Sequence, residues 1–323
     1  MPELPEVEVV RAGLEPAVSG ALVTAVQVLD ERALTRHDGP GEDFAHRLTG
    51  RTIEAAVRRG KFLWFPLRAV HPDDAPEALV AHLGMSGQIL LGRDRPAAKH
   101  RRILLAVQPS GTTRDGAPEP AVELEFVDQR TFGSMAIDRM VPTIDGAAAG
   151  FAGAVDERDP DAPWRASIPG QVSHIARDPL DPAFDDARFI QLARKRSSGI
   201  KRVLLDQGVI SGIGNIYADE SLWAAKLHHD RPADRLPRAT VQLLLDEVRT
   251  VLRRALVDGG TSFDAQYVNV NGQSGYFSQR LNVYGQQGKP CPRCGTEIVR
   301  ESWMNRSSHR CPVCQPSPRL STR

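Results

Sequence analysis

The chain opens Met1-Pro2-Glu3-Leu4-Pro5-Glu6-Val7-Glu8, and its second residue is the first that could do chemistry. Once Met1 is trimmed, Pro2 is a rigid secondary amine whose attack on an aldehyde carbon gives an iminium ion. Glu3 beside it is a candidate proton donor. Taken alone, the same eight residues also suit an ordinary chain start with solvated charges. The second reactive set is the four cysteines, all near the end: Cys291-Pro292-Arg293-Cys294 and Cys311-Pro312-Val313-Cys314, sixteen residues apart. Two such knuckles suit a tetrahedral four-thiolate zinc site. A closed thiolate shell leaves no open position, so the zinc (one ion) is expected to be structural and to hold the hairpin that carries Arg300, Arg306 and Arg310. Two disulfides are the alternative, which a cytoplasmic location disfavours.

These groups need elements to present them. Val7, Val10, Leu14 and Val18 recur at near-helical spacing, and Pro5 with Glu6 and Glu8 suits a first helical turn, so Pro2 and Glu3 would project just ahead of an amphipathic helix. Its positive end would keep more of the amine neutral. Residues 21–29, 51–58, 62–67, 79–83, 103–107 and 122–127 read as short strands between turn-prone stretches, the pattern of an antiparallel sandwich. From Pro142 the chain turns Ala-, Gly-, Pro- and Asp-rich, which reads as a linker. Helical patterns return at 182–196, 199–206, 216–227 and 239–257. Between the second and third, Gln207-Gly208-Val209-Ile210-Ser211-Gly212-Ile213-Gly214-Asn215 reads as a glycine turn into a helix capped by Asn215, a way to aim backbone N–H groups at a phosphate. Most such turns only make a corner.

The composition is that of an ordinary soluble protein of 323 residues, 41% hydrophobic and 25% charged, long enough for two domains. No apolar run approaches the roughly 20 residues that span a membrane, and the acidic start is not a secretion signal, so a cytoplasmic location is expected. A net charge of +1 hides an asymmetry: residues 188–205 carry six basic and no acidic residues, and residues 260–323 carry eight basic against three acidic. Local basic surfaces on a near-neutral body suit a polyanion gripped at defined places; solvated helix faces are the alternative for the first stretch.

Five motifs stand in order: Pro2-Glu3-Leu4-Pro5-Glu6-Val7-Glu8, His82-Leu83-Gly84-Met85-Ser86-Gly87, Asp128-Gln129-Arg130-Thr131-Phe132-Gly133, Gly212-Ile213-Gly214-Asn215-Ile216-Tyr217 and the four-cysteine finger. With them the chain resembles the bacterial formamidopyrimidine-DNA glycosylases from Met1 to about Gln315. The resemblance implies an α+β fold of two domains: an N-terminal helix plus antiparallel β-sandwich, then a helical helix-two-turn-helix domain ending in a four-cysteine zinc-finger β-hairpin. The expected boundaries are 1–141 for the catalytic domain, 142–181 for the linker, 182–285 for the DNA-binding domain, 286–315 for the finger and 316–323 for a disordered tail. The implied activity is excision of oxidised purines from damaged double-stranded DNA, followed by strand cleavage, by a monomer with no membrane association.

Residue by residue, the resemblance makes Pro2 the nucleophile, Glu3 the acid at the sugar ring oxygen, and Lys61 a proton donor at the lesion's phosphate. Arg306 is the finger arginine of the second elimination; a guanidinium gives up its proton poorly, so a phosphate clamp suits it better than an acid. His100, Arg130, Arg196, Lys201 and Asn215 match DNA contacts. Met85, Arg130 and Phe132 resemble the group that fills the hole left by a flipped nucleotide. Glu6 reads either as a buried partner of the amine or as a helix-start charge. Three features depart from the pattern: Gln286 stands where arginine is common, Asn305 replaces a frequent glycine, and residues 144–171 exceed the family linker. Two rivals remain: the sister group acting on oxidised pyrimidines, and a damaged-DNA-binding protein without catalysis.

Overall fold

The computed structural model describes residues 2–71, 73–92, 98–113, 115–153, 160–261, 270 and 280–318. Residues 272–279, where the family resemblance implies a lesion-recognition loop, lie outside them. The chain forms two compact units, Met1–His174 with Ser262–Gly275, and Ile175–Thr261 with Tyr276–Arg323.

The first unit starts with helix α1, Leu4–Val18. Val7, Val10, Leu14 and Val18 are buried as their spacing predicts, each contributing roughly 1.5–3 kcal/mol of apolar burial. Two antiparallel sheets follow. One has the order β1 (Leu22–Val28), β6 (Arg101–Gln108), β7 (Val122–Asp128), β5 (Gly87–Gly92). The other runs β2 (Val57–Arg59), β3 (Phe62–Leu67), β4 (Glu77–His82), β8 (Ser134–Pro142), β9 (Ser167–Pro169). Leu63, Phe65, Leu79 and Ala81 of the second sheet share one core with Val23, Ile103, Leu105, Leu124 and Phe126 of the first, and with α1 and Phe44 of helix α2, Gly41–Leu48.

Two expectations change here. The strand expected over 51–58 is split: Thr52 and Ile53 make isolated bridges to Leu22 and Leu67, whereas β2 begins only at Val57. The chain turns a corner between sheets at Glu54, where one continuous strand cannot serve both. The stretch expected to be a linker is built onto the first unit as far as His174. Within it β9 pairs with β8, and Phe151 bridges Arg58.

The second unit contains α3 (Asp186–Arg194), α4 (Ile200–Leu204), α5 (Asn215–Ala224) and α6 (Arg238–Val257). It ends in the hairpin of β10, Val299–Trp303, and β11, Arg306–Arg310. Of the expected tail, Ser317 lies 3.4 Å from His228 Nε2, and 319–323 fall outside the described residues. No described helix is long and apolar enough to cross a membrane.

Candidate active site and nucleic-acid interface

Glu3 caps α1, and Glu6 returns a carboxylate oxygen to the Glu3 N–H at 2.9 Å in a capping-box arrangement. Both side chains are buried. Glu6 is therefore tied to the backbone immediately after Pro2 and fixes how the terminus leaves the helix. Lys61 sits in the two-residue turn between β2 and β3, whose first residue, Gly60, has φ +56°. Pro2 and Lys61 line one cavity of about 310 Å³ together with Val7, His82, Leu83, Gly84, Met85 and Phe132, a volume at the small end of ligand sites.

The cavity mouth is shaped by one close approach. Gly84 has φ +60°, and a Cβ there would meet the Phe132 carbonyl carbon at 2.5 Å and Gly133 N at 2.6 Å. Only glycine fits. Met85 and Phe132 both line the cavity and are 45% and 61% exposed, apolar side chains offered to something outside. Asp128 organises the second loop. Fully buried, it accepts the Ser86 hydroxyl at 2.6 Å, Arg130 N–H at 3.1 Å and Gly133 N–H at 2.7 Å, and its own N–H reaches His100 O at 3.1 Å. One residue, through its carboxylate and its backbone N–H, thus ties together the loops that carry Met85, His100, Arg130 and Phe132. His82 Nδ1 accepts the Gly84 N–H at 3.2 Å. Burial, with Arg36 and Lys61 nearby, pulls its pKa down to about 4, so at neutral pH it is an uncharged imidazole with Nε2 as donor. Neither Asp128 nor His82 was among the sequence candidates, although both stand inside the motifs quoted.

In the second unit Arg196 is exposed and pairs with Asp206 at 3.0 Å. Lys201 differs from the surface phosphate ligand that the resemblance implies. It is fully buried, its ammonium 2.7 Å from Asp219 and 4.7 Å over the Trp303 ring. Asn215 is the first residue of α5 rather than its cap, which is Gly214; its Nδ2 donates to Ser307 O at 2.8 Å. Lys201 Nζ reaches the same carbonyl at 3.4 Å. Asp219 also takes the Ser308 hydroxyl at 3.0 Å and His309 N–H at 2.8 Å. Strand β11 is thereby fastened to α4 and α5, with exposed Arg306 at its free end. Gln207 closes the glycine turn by donating to Leu205 O and Ile213 O and accepting from Gly212 N–H. Buried Glu220 accepts N–H groups of Asn282, Val283 and Tyr284, while desolvation pushes its pKa up.

At the hairpin tip, Met304 and Asn305 have φ +44° and +58°. The left-handed angle is therefore present without the glycine, and asparagine is the side chain that tolerates it best. The four cysteine sulfurs lie within 4.8 Å of one another, and Trp223 Nε1 donates to Cys291 Sγ at 3.4 Å. Four thiols and one donor to sulfur suit a tetrahedral zinc with Zn–S near 2.3 Å. A nearby group of His228, His229 and Glu301 is spoken for differently: the two rings stack at 4.1 Å and Arg310 holds both Glu301 oxygens.

The first unit is thus a sandwich whose cavity is lined by the start of its own chain, and the second a helical unit whose glycine turn leads into a helix fastened to a four-cysteine finger. Three family models match in sequence: formamidopyrimidine-DNA glycosylase N-terminal domain over residues 1–135, formamidopyrimidine-DNA glycosylase H2TH domain over 175–266, and the zinc finger found in FPG and IleRS over 288–316. The chain is 60% identical over 319 residues to a formamidopyrimidine-DNA glycosylase of Leifsonia xyli subsp. xyli, covering 98% of this chain and 99% of that one. It is 51% identical over 321 residues to one of Kineococcus radiotolerans, covering 99% of each. Among solved structures it resembles a Lactococcus lactis Fpg mutant bound to Fapy-dG-containing DNA, at TM-score 0.76 and 31% identity, covering 98% of this chain and all of that one. It also resembles wild-type Lactococcus lactis Fpg bound to DNA containing an oxidised pyrimidine, at TM-score 0.75 and 30% identity with the same coverage. The chain belongs to the formamidopyrimidine-DNA glycosylase family, and its finger is the zinc finger of that family.

Proposed function

We propose that this chain is a base-excision repair enzyme that removes oxidised purines, 8-oxoguanine and formamidopyrimidines, and cleaves the strand at the resulting site. The observation that carries the reading is the shared cavity of Pro2 and Lys61 with Met85 and Phe132 at its mouth. A base inside the stack cannot be attacked, so the damaged nucleotide must turn out of the duplex. Met85 and Phe132 would fill the gap, with Arg130 reaching the orphaned base.

In the reaction, the Pro2 nitrogen bonds to C1′ as the C1′–base bond breaks, and the departing base takes a proton. Glu3 protonates the ring oxygen as the sugar opens, leaving an iminium. The iminium acidifies the C2′ proton; its loss expels the 3′ phosphate, and a second elimination expels the 5′ phosphate. Lys61 acts at the lesion's phosphate, and Arg306 clamps phosphate from the finger. His100, Arg196 and the start of α5 at Asn215 grip the backbone, the helix end contributing its positive pole. Buried as it is, Lys201 serves this grip through Ser307 and Asp219. The zinc, held by Cys291, Cys294, Cys311 and Cys314, keeps the finger folded and takes no part in bond-making.

The test is borohydride trapping on duplex DNA with one 8-oxoguanine, using protein whose loss of Met1 is verified by mass. A crosslink mapped to Pro2 is expected. Tight binding without a crosslink would favour a damage-binding protein without catalysis. A second lesion class is worth the same assay, because one similar structure is a Lactococcus lactis Fpg with oxidised-pyrimidine DNA; faster release of thymine glycol than of 8-oxoguanine would reverse the substrate preference.

A further inference from the structure

Residues 149–151, in the stretch expected to be a linker, lie against β2, the strand that leads into the turn bearing Lys61. Strand β2 stands at one end of its sheet and pairs with β3 on one side only. Its other edge is covered by residues 149–151. Arg58 N–H donates to Phe151 O, and Phe151 N–H donates to Arg58 O, both at 2.9 Å. Arg59 Nε donates to Ala149 O at 2.6 Å. The approach is close enough that a Cβ on Gly150 would lie 2.4 Å from Arg58 O and 2.7 Å from the Trp64 ring.

Arg58 also reaches the other way. Its side chain is 3% exposed; Nε donates to Glu8 Oε2 at 2.9 Å and Nη1 to Gly60 O at 3.3 Å. Glu8 lies on α1, the helix that begins just beyond Pro2, and Gly60 is the residue before Lys61. Arg11 continues the chain of charges, pairing with Glu8 at 2.9 Å and Glu15 at 2.8 Å, and its guanidinium lies 5.1 Å from the centre of the Phe151 ring. One guanidinium therefore connects the helix that presents Pro2 to the turn that presents Lys61. The strap at 149–151 holds that guanidinium's own backbone.

We propose that Arg58 and the strap at 149–151 are a positioning device that fixes Lys61 relative to Pro2. The proposal rests on the reading that these two residues act on DNA. Proton transfer and elimination depend on sub-ångström placement, and a shift of about 1 Å at a reacting group can cost roughly a hundredfold in rate. A two-residue turn has no core of its own to resist such a shift. The ion pair and the added edge strand provide that resistance from both sides, without touching the substrate.

The test uses the full-length, zinc-loaded protein with Met1 removed and four substitutions: Gly150→Ala and Phe151→Pro in the strap, Arg58→Met and Arg58→Lys in the strut. Gly150→Ala forces the strap off β2, and Phe151→Pro deletes the N–H that reaches Arg58 O. Both changes sit at a sheet edge, so they remain informative if Arg58→Met fails to fold. The strap variants are expected to lower kcat for strand cleavage by about ten- to a hundredfold, with KM for the lesion duplex changed less than about twofold and the thermal midpoint nearly unchanged. Borohydride-trapped complex should accumulate relative to cleaved product, because Pro2 still reacts while the Lys61 step is slowed. Arg58→Lys should recover part of the loss by restoring charge opposite Glu8. Folded Gly150→Ala and Phe151→Pro proteins with unaltered kcat and trapping would overturn the proposal while leaving the reaction assignment intact. Absence of any trapped complex in the unsubstituted protein would instead remove the reaction assignment, and the positioning role with it.

Discussion

Met304 holds φ +44° at the finger tip, an angle that β-carbon contacts disfavour by roughly 1–2 kcal/mol for ordinary residues. The hairpin's two-residue turn demands it, since a type I′ geometry needs both central residues in the left-handed region. Met304→Asn should therefore stabilise the finger by about 0.5–1 kcal/mol, read as a higher thermal midpoint with unchanged zinc content; a lower midpoint would show that the exposed methionine makes a compensating contact. His82 gives a pH prediction at the same scale. Its folded pKa of about 4 lies below the ordinary 6.5 because burial, Arg36 and Lys61 all oppose the cation. Between those values the unfolded chain binds more protons than the folded one, so stability rises with pH, is complete above about 6.5, and is lost as pH falls towards 4. His228, also lowered to about 4 by burial first, adds to the same slope. His82→Gln should flatten the fall in unfolding free energy between pH 6.5 and 4.5 by on the order of 2 kcal/mol, measured by urea unfolding at each pH. An unchanged slope would mean that the imidazole takes up protons alike in the folded and unfolded chains.

Among the elements, β11 depends on groups that are not its own. Asp219 on α5 accepts from Lys201, Ser308 and His309, and both members of the ion pair are fully buried. Removing one partner of such a pair leaves an uncompensated charge and costs about 3–5 kcal/mol. Asp219→Ala should destabilise the second unit by that amount, raise amide exchange along Arg306–Arg310, and weaken lesion-DNA binding more than tenfold with the metal retained; wild-type exchange in β11 would show that the hairpin orders itself. This dependence also explains what the sequence could and could not disclose. α1, β3, β6, β7 and α6 were legible because each carries its own periodicity or β-branched run. The cysteines were legible from spacing alone. β5 and β8 were not anticipated, since Gly87 and Gly92 bound one and Asp138 and Arg139 interrupt the other; partners in the sheet decide both. Pro2, Lys61, Met85 and Phe132 could be named from motifs. The role of Asp128 depends on its bonds to Ser86 and His100 on other loops, those of His82 and Gln207 on bonds within a few residues that no periodicity marks, and the burial of Lys201 on Trp303 and Ser307 of the distant hairpin. A single sequence carries no signal for those.

For the whole molecule, the two units do not share the same source of stability. The first has an extended core drawn from both sheets and α1, and none of the metal-ligand clusters among the described residues lies in it. The finger's cluster comprises Val283, Cys291, Ile298 and Cys311, with Trp223 and Cys314 against it, so half of its buried members are metal ligands. So small an apolar core cannot offset the entropy of ordering the hairpin, and zinc binding must contribute the difference, as in other small metal-dependent modules. Chelation should then unfold the finger and spare the sandwich. Amide protection from 286 to 315 should vanish and the ties of β11 to Asn215, Lys201 and Asp219 should open, while the sandwich strands stay protected. Binding to lesion duplex should be lost, since Arg306 no longer has a fixed place, and the salt dependence of any remaining binding should be shallower by the phosphate contacts that the finger contributed. Cys311→Ser should reproduce the effect without chelator, and readdition of zinc should restore the chelated protein but not the variant. Undiminished binding after verified metal loss would assign the DNA grip to the remaining basic residues of the second unit and to the loops of Arg130 and His100 alone.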